Sequence, residues 1–119
     1  MRVPIVVGSG EGERLERPGG SSHRVLAELP EFEAIELSFQ FGWEGVDPHA
    51  HDDHVDSFYV LEGEVEFVIG ERTVRGGPGT YVAVSQGIVH GFRNPGPGRI
   101  RVLNVHAPHV GFIERIRSA

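Results

Sequence analysis

Residues 34–43 read AIELSFQFGW, from Ala34 to Trp43. Ile35, Leu37, Phe39, Phe41 and Trp43 fall on one side of an extended chain, and Glu36, Ser38 and Gln40 on the other. A period of two marks a strand with one face on a core and one in water; a helix would instead gather its apolar residues about every three to four positions. Working outward, Ser57 to Gly63 (SFYVLEG) and Glu64 to Ile69 (EVEFVI) are aromatic and β-branched runs hinged at Glu62-Gly63, a hairpin pattern. Glu71 to Arg75 reads as a further strand, Gly76-Gly77-Pro78-Gly79 as a turn and Thr80 to Val84 as the strand beyond it. After the loop Ser85-Gln86-Gly87 come a strand over Val89 to Arg93, a turn over Asn94 to Gly98 and a long strand over Arg99 to His106. On the upstream side, a short strand near Val3 to Val7 leads into an arm rich in Gly, Ser and charge from Gly8 to Ser22.

Only Val110 to Arg117 has a helical pattern, with Phe112, Ile113 and Ile116 on one side. A chain of 119 residues has room for one hydrophobic core, and 17 Gly and 8 Pro are more turn formers than a helical bundle tolerates. The expected fold is therefore all-β, a single jelly-roll sandwich or barrel with a short C-terminal helix. The expected organisation is an N-terminal strand and arm over 1–24, the barrel over 25–108 and the tail with its helix over 109–119. Phe39, Phe41, Trp43, Phe58, Phe67 and Phe92 are assigned to the core.

Charge and composition exclude several functions. A net charge of −6 with no basic cluster argues against nucleic acid and anionic membrane as partners. The apolar run at the N-terminus is too short for a secretory signal, and no stretch reaches the roughly twenty apolar residues of a membrane span, so a soluble, cytoplasmic protein is expected. With no cysteine there is neither disulfide nor thiolate, and any metal site must use His, Asp and Glu.

Three of the seven histidines, His49, His51 and His54, fall in PHAHDDHVD beside Asp52, Asp53 and Asp56. Such a segment also serves as a plain solvated loop. The spacing adds that His49 and His51, two apart, project to the same face of a strand. Asp56 has the opposite parity and joins them only if the chain turns within Asp52 to Val55. His90, at the start of a later strand, arrives only through the fold and, read alone, is equally a core or rim histidine and a ligand. Ile100, Val102, Asn104 and His106 share a face of the last strand, which leaves His106 as a substrate-facing group or a rim residue. Phe92 follows His90 by two and would line the wall beside it. His23 and His109 lie in loop-like segments and are expected to be solvated.

These residues resemble the two motifs of the cupins. In the first, G-x5-H-x-H-x3,4-E-x6-G, the matching positions are His49, His51, Asp56 in the acidic place and Gly63, with the opening glycine displaced to Gly45. In the second, G-x5-P-x-G-x2-H-x3-N, they are Gly79, Gly87, His90 and Asn94, with Ser85 where the proline stands. The resemblance implies a small β-barrel holding one divalent metal ion at its mouth with His49, His51, His90 and Asp56. Aspartate is one methylene shorter than the usual glutamate, which leaves His54 as the competing fourth donor. Three neutral imidazoles and a carboxylate suit Fe, Mn, Ni, Zn or Cu, with positions left open for a ligand. The implied function is a mononuclear metal-dependent oxygenase or dioxygenase acting on a small organic molecule. A non-redox isomerase or lyase and a non-catalytic sensing barrel are the alternatives. Phe58, Phe92 and His106 are the expected pocket residues. A homodimer is expected, because a barrel this small has exposed edges to cover.

Overall fold

The computed structural model describes residues 4–43 and 45–119. Its ten strands are β1 (Arg14–Arg17), β2 (Ser21–Glu28), β3 (Glu33–Phe39), β4 (Val46–His49), β5 (Val55–Glu62), β6 (Val65–Ile69), β7 (Arg72–Gly76), β8 (Tyr81–Val84), β9 (His90–Arg93) and β10 (Ile100–Ala107). One helix, α1 (Phe112–Ser118), follows. The strands form a six-stranded sheet in the order β1-β2-β3-β10-β5-β8 and a four-stranded sheet in the order β4-β9-β6-β7. All pairings are antiparallel. The two sheets make the expected all-β jelly roll.

The strand alternation builds the interior. Ile35, Leu37 and Phe39 of β3 point inward with Phe58 and Val60 of β5, Phe67 of β6, Phe92 of β9, and Ile100 and Val102 of β10. Each fully buried aliphatic or aromatic side chain contributes on the order of 2 kcal/mol against the entropy of ordering it. Along two neighbouring strands the inward row changes character in step. β5 runs from Val60 through Phe58 to Asp56, and β10 runs from Ile100 and Val102 to Asn104 and His106, all of them buried. Val102 faces Val60, Asn104 faces Phe58 and His106 faces Asp56. One end of the barrel is therefore apolar and the other carries polar groups turned inward.

Two glycines set close approaches. A Cβ on Gly63, at φ +80°, would sit 2.4 Å from the Arg99 carbonyl, so only glycine closes the bend between β5 and β6. A Cβ on Gly91 would lie 2.6 Å from the Val46 carbonyl. Its absence lets β4 lie against β9 with His49 opposite His90.

The upstream expectations need correction. Pro4 to Val7 form no strand, and Val3 lies outside the described residues. The presumed arm from Gly8 to Ser22 instead contains β1 and the start of β2, which extend the larger sheet. The alternation of residues 34–43 outlasts its strand, which ends at Phe39. Phe41 sits in the following turn, 67% exposed and against Gly96, and Trp43 stacks on Phe39 with ring centroids 3.6 Å apart.

Helix α1 is anchored by Glu33. Its buried carboxylate accepts the amides of Val110, Phe112 and Ile113 at 2.9, 3.2 and 3.0 Å. Burial pushes this carboxyl up, but those three amides, with His109 nearby, outweigh it and hold the group below its ordinary range. No helix of the described residues is long and apolar enough to cross a membrane.

Candidate metal centre

His49 closes β4 and His90 opens β9, and the two are register partners. Their Nδ1 atoms lie 2.8 Å from the Asp47 carbonyl and 2.9 Å from the Ile88 carbonyl. A carbonyl only accepts, so each Nδ1 carries a proton and each Nε2 is the atom left for an ion; on His90 that Nε2 shares a proton with Asp56. His51 lies beyond the end of β4 rather than on it, and its carbonyl accepts the Gly87 amide at 2.8 Å, which ties it to the loop before β9. Its Nε2 stands 3.0 Å from that of His49. Two donors at about 2.1 Å from one ion and at right angles would be about 3 Å apart. Nitrogens of His49, His51 and His90 all lie within 4.8 Å of one another.

Asp56, second in β5, divides its carboxylate between two groups of neighbours. Oδ2 lies 3.1 Å from His90 Nε2 and 3.7 Å from His51 Nε2. Oδ1 accepts from Asn104 Nδ2 at 2.6 Å and lies 3.1 Å from His106 Nε2. Burial raises this carboxyl, but the hydrogen bonds of His106, His90 and Asn104 win and hold it far below the usual range. Burial, with His54 and His49 beside it, pushes His51 down to about 4, whereas the Asp56 contact raises His90. Imidazole nitrogens beside an ionised carboxylate form a donor set suited to a divalent metal ion.

The chain bends at Asp52-Asp53, and His54, directly after the bend, is 3% exposed. Its Nδ1 pairs with Asp53 Oδ1 at 2.7 Å, and its Nε2 is buried without a hydrogen-bond partner. A nitrogen of His54 groups with His51 and Asp56, and the group of His49, His51 and His90 includes neither His54 nor Asp56.

All these donors except His54 line a cavity of about 350 Å³. The three expected pocket residues, Phe58, Phe92 and His106, line it too, with Leu37, Phe39 and Val46 as further apolar wall. His106 packs edge-on against Phe112 of α1, ring centroids 4.4 Å apart, so the helix roofs the polar end. Among the polar lining residues, four were not expected: His23, Asn104, Arg17 and Arg115. His23 is the clearest correction, since it is 5% exposed on β2 and not solvated. Its alternation with Ser21 was the available signal. Asn104 was legible as an inward residue of β10, but nothing local disclosed its bond to Asp56. His109, expected to be solvated, is indeed exposed.

The comparisons with known proteins agree with this architecture. A search of the curated proteins finds 33% identity over 95 residues with quercetin 2,3-dioxygenase of Bacillus subtilis (strain 168), covering 76% of this chain and 28% of that protein. The chain thus spans under a third of its relative's length. Among solved structures, KdgF from Halomonas sp. superposes with a TM-score of 0.83 at 22% identity, covering 93% of this chain and 99% of that one. An RmlC-like cupin from Shewanella frigidimarina NCIMB 400 gives a TM-score of 0.75 at 25% identity, covering 86% and 89%. The family model described as the cupin domain (Cupin_2) matches residues 36–106, more than half the chain and every donor described above, and the chain belongs to that family.

Proposed function

We propose that this chain is a mononuclear metal-dependent enzyme of the oxygenase type acting on a small organic molecule in its barrel cavity, with the ion held by His49, His51, His90 and Asp56. One observation carries the reading. The Nδ1–H groups of His49 and His90 are committed to backbone carbonyls, so their Nε2 atoms are turned to His51 and Asp56, in a cavity whose wall includes Leu37, Phe39, Phe58 and Phe92. The match to quercetin 2,3-dioxygenase supports the oxygenase direction, over a fraction of that protein. When bound, a redox-active ion supplies the electron-transfer chemistry that O2 needs to react with an organic molecule. The chain's own residues do the rest. Asn104 and His106 fix Oδ1, and so turn Oδ2 of Asp56 toward His51 and His90. Phe58, Phe92, Leu37 and Phe39 keep water from the reacting end and give the substrate an apolar bed.

The test is elemental analysis of protein made without an affinity tag, followed by oxygen uptake with aromatic and 1,3-dicarbonyl compounds. Iron or copper together with substrate-dependent O2 uptake is the expected result. Zinc or manganese with turnover but no O2 uptake would replace it with the isomerase or lyase reading, and tight binding without turnover with the sensor. We also propose a homodimer, supported by the open edges of both sheets and by exposed Tyr59 and Tyr81 on β5 and the edge strand β8. Light scattering giving the monomer mass across micromolar concentrations would refute it.

A further inference from the structure

The segment Pro4 to Val7 (PIVV) is uncharged and apolar, and it lies on the surface: Ile5 and Val6 are exposed, Val6 by 87%. Among the described residues, no backbone group bonds to the main chain of Ile5, Val6 or Val7. Three β-branched side chains with free N–H and C=O groups between them are what an added strand needs. The root of the segment is fixed. Arg24 donates from Nη1 to the carbonyls of Gly8 and Glu11, at 3.4 and 2.8 Å, and lies on the face of β2 opposite the buried Ser21 and His23. The segment therefore leaves from the outer face of the large sheet, near its β1 edge.

The edges of the two sheets are β1 and β8, and β4 and β7. Three of them are blunted. β1 (RLER) and β7 (RTVRG) carry arginines, and β4 (VDPH) carries Asp47 and Pro48; charge and proline both discourage strand addition. β8 (YVAV) has neither. The outer face beside it is apolar as well: Tyr81, 61% exposed, is the register partner of Tyr59, and Val55 is exposed on the same side of β5 as Tyr59. Of the other exposed large apolar residues among the described ones, Ile88 and Val89 lie in the loop after β8, and Phe41 alone lies elsewhere.

Reach decides whether segment and edge meet within one chain. A strand added beyond β8 lies five strand spacings from β2, roughly 24 Å across the sheet. Four residues extend at most about 14 Å. One chain cannot make the pairing, but two can. A two-fold axis sets the β1 end of one large sheet beside the β8 end of the other, and the same operation brings the second segment to the first copy's β8.

We propose that this chain associates with a second copy by exchanging Pro4 to Val7, each segment adding as a strand to β8 of the partner. The proposal rests on the homodimer reading above and names its interface. Neither component carries a charge, in a chain where 24% of residues do, so no charged group is stripped of water when they join. Main-chain hydrogen bonds give such a pairing its affinity, and the alternate side chains give it register.

The chain has no cysteine, which makes disulfide trapping a direct test. Ile5→Cys or Val6→Cys is combined in one chain with Tyr81→Cys or Ala83→Cys, and Val6→Cys with Thr73→Cys on the blunted edge β7 is the control. Under mild oxidation at least one of the β8 pairs should give a disulfide-linked dimer about tenfold or more faster than the control. Light scattering over micromolar concentrations reads the affinity. Val6→Asp, and Ala83→Lys on the accepting edge, should each raise the dissociation constant about 100-fold or more, because the dimer carries the substitution twice. Both positions are exposed, so circular dichroism should stay as in the wild type. A dimer that forms as tightly in both variants would overturn the exchange and leave the homodimer standing. Trapping at Thr73→Cys as fast as at β8 would overturn it too. A monomer at every concentration would remove the homodimer and the exchange together.

Discussion

Glu33 and Asp56 are both buried carboxylates, 1% and 4% exposed, and they lie on one line across the large sheet: Glu33 faces His106, and His106 faces Asp56. In both, burial is outweighed by hydrogen bonds that keep the group ionised. Their donors differ. Glu33 is satisfied by three main-chain amides, which have no other use, and so it fastens α1 to β3. Asp56 is surrounded by imidazoles and one amide side chain, and an imidazole can exchange the proton it shares with a carboxylate for a cation. Two groups with the same burial thus differ in use: one is a fastening, the other has the neighbours of the proposed metal site, and the donor type separates them.

Substitutions at the two ends of that line should therefore fail differently. Asp56→Ala should lower affinity for a divalent ion by at least about 100-fold while the protein stays folded. His49→Ala, His51→Ala and His90→Ala should each lower metal occupancy in the same way, because the core is built from other residues. Metal content after equilibrium dialysis, with circular dichroism for the fold, reads both quantities. Unchanged occupancy in all three histidine variants would remove the proposed site. Glu33→Ala should do the reverse: it strands three amides and costs about 3 kcal/mol or more in denaturant unfolding, with little change in metal affinity of the folded protein. A Glu33→Ala protein of wild-type stability would show the fastening to be dispensable.

The contrast also marks what could be read from the sequence. The alternation of β3, β5 and β10 reports directly on which side chains share a face, so the jelly roll was legible, and so was the face that His106 shares with Ile100, Val102 and Asn104, but not whether His106 turned into the cavity or sat at the rim. The approach of His90 to Asp56 was not, because 34 positions separate them and only strand pairing brings them together. The motif resemblance supplied that link. Glu33 gave no signal, since its role depends on backbone amides some 80 positions away. β1 and β2 were hidden for another reason: RLER and SSHRVLAE carry polar residues on both faces near the cavity, and so they mimic a loop. The expectation of a solvated His23 failed for the same reason.

A smaller effect separates Asp56 from His54. Asp56 Oδ2 contacts both His51 and His90, whereas His54 groups with His51 and Asp56 only and spends its Nδ1 on Asp53. His54→Ala should reduce metal affinity by less than about tenfold, the size of effect expected for a supporting residue. Asp56→Glu should be tolerated. Release of the metal by His54→Ala, with retention in Asp56→Ala, would make the site one of four histidines and break the contrast with Glu33.

A last predicted effect concerns His23 on β2 and is read through pH. Burial pushes His23 from 6.5 down to about 4. The unfolded imidazole therefore takes up its proton near pH 6.5 and the folded one only near pH 4, so between these values the unfolded chain binds more protons. Stability must fall as pH drops through that window and level off below it. Glu33 and Asp56, whose pKa values are lowered, lose their contributions only as pH falls below the ordinary carboxylate range, so the two effects separate on the pH axis. His51 is also pushed down to about 4 and His90 is raised, so the total slope does not isolate His23. A difference does. Allowing for solvent that reaches the ring from the cavity, the His23 share is on the order of 2 kcal/mol. His23→Gln should therefore lose about that much less stability than wild type between pH 7 and pH 4.5, measured by urea unfolding of metal-free protein. Parallel curves for the two proteins would mean that His23 protonates in place, and that its surroundings are wetter than its burial implies.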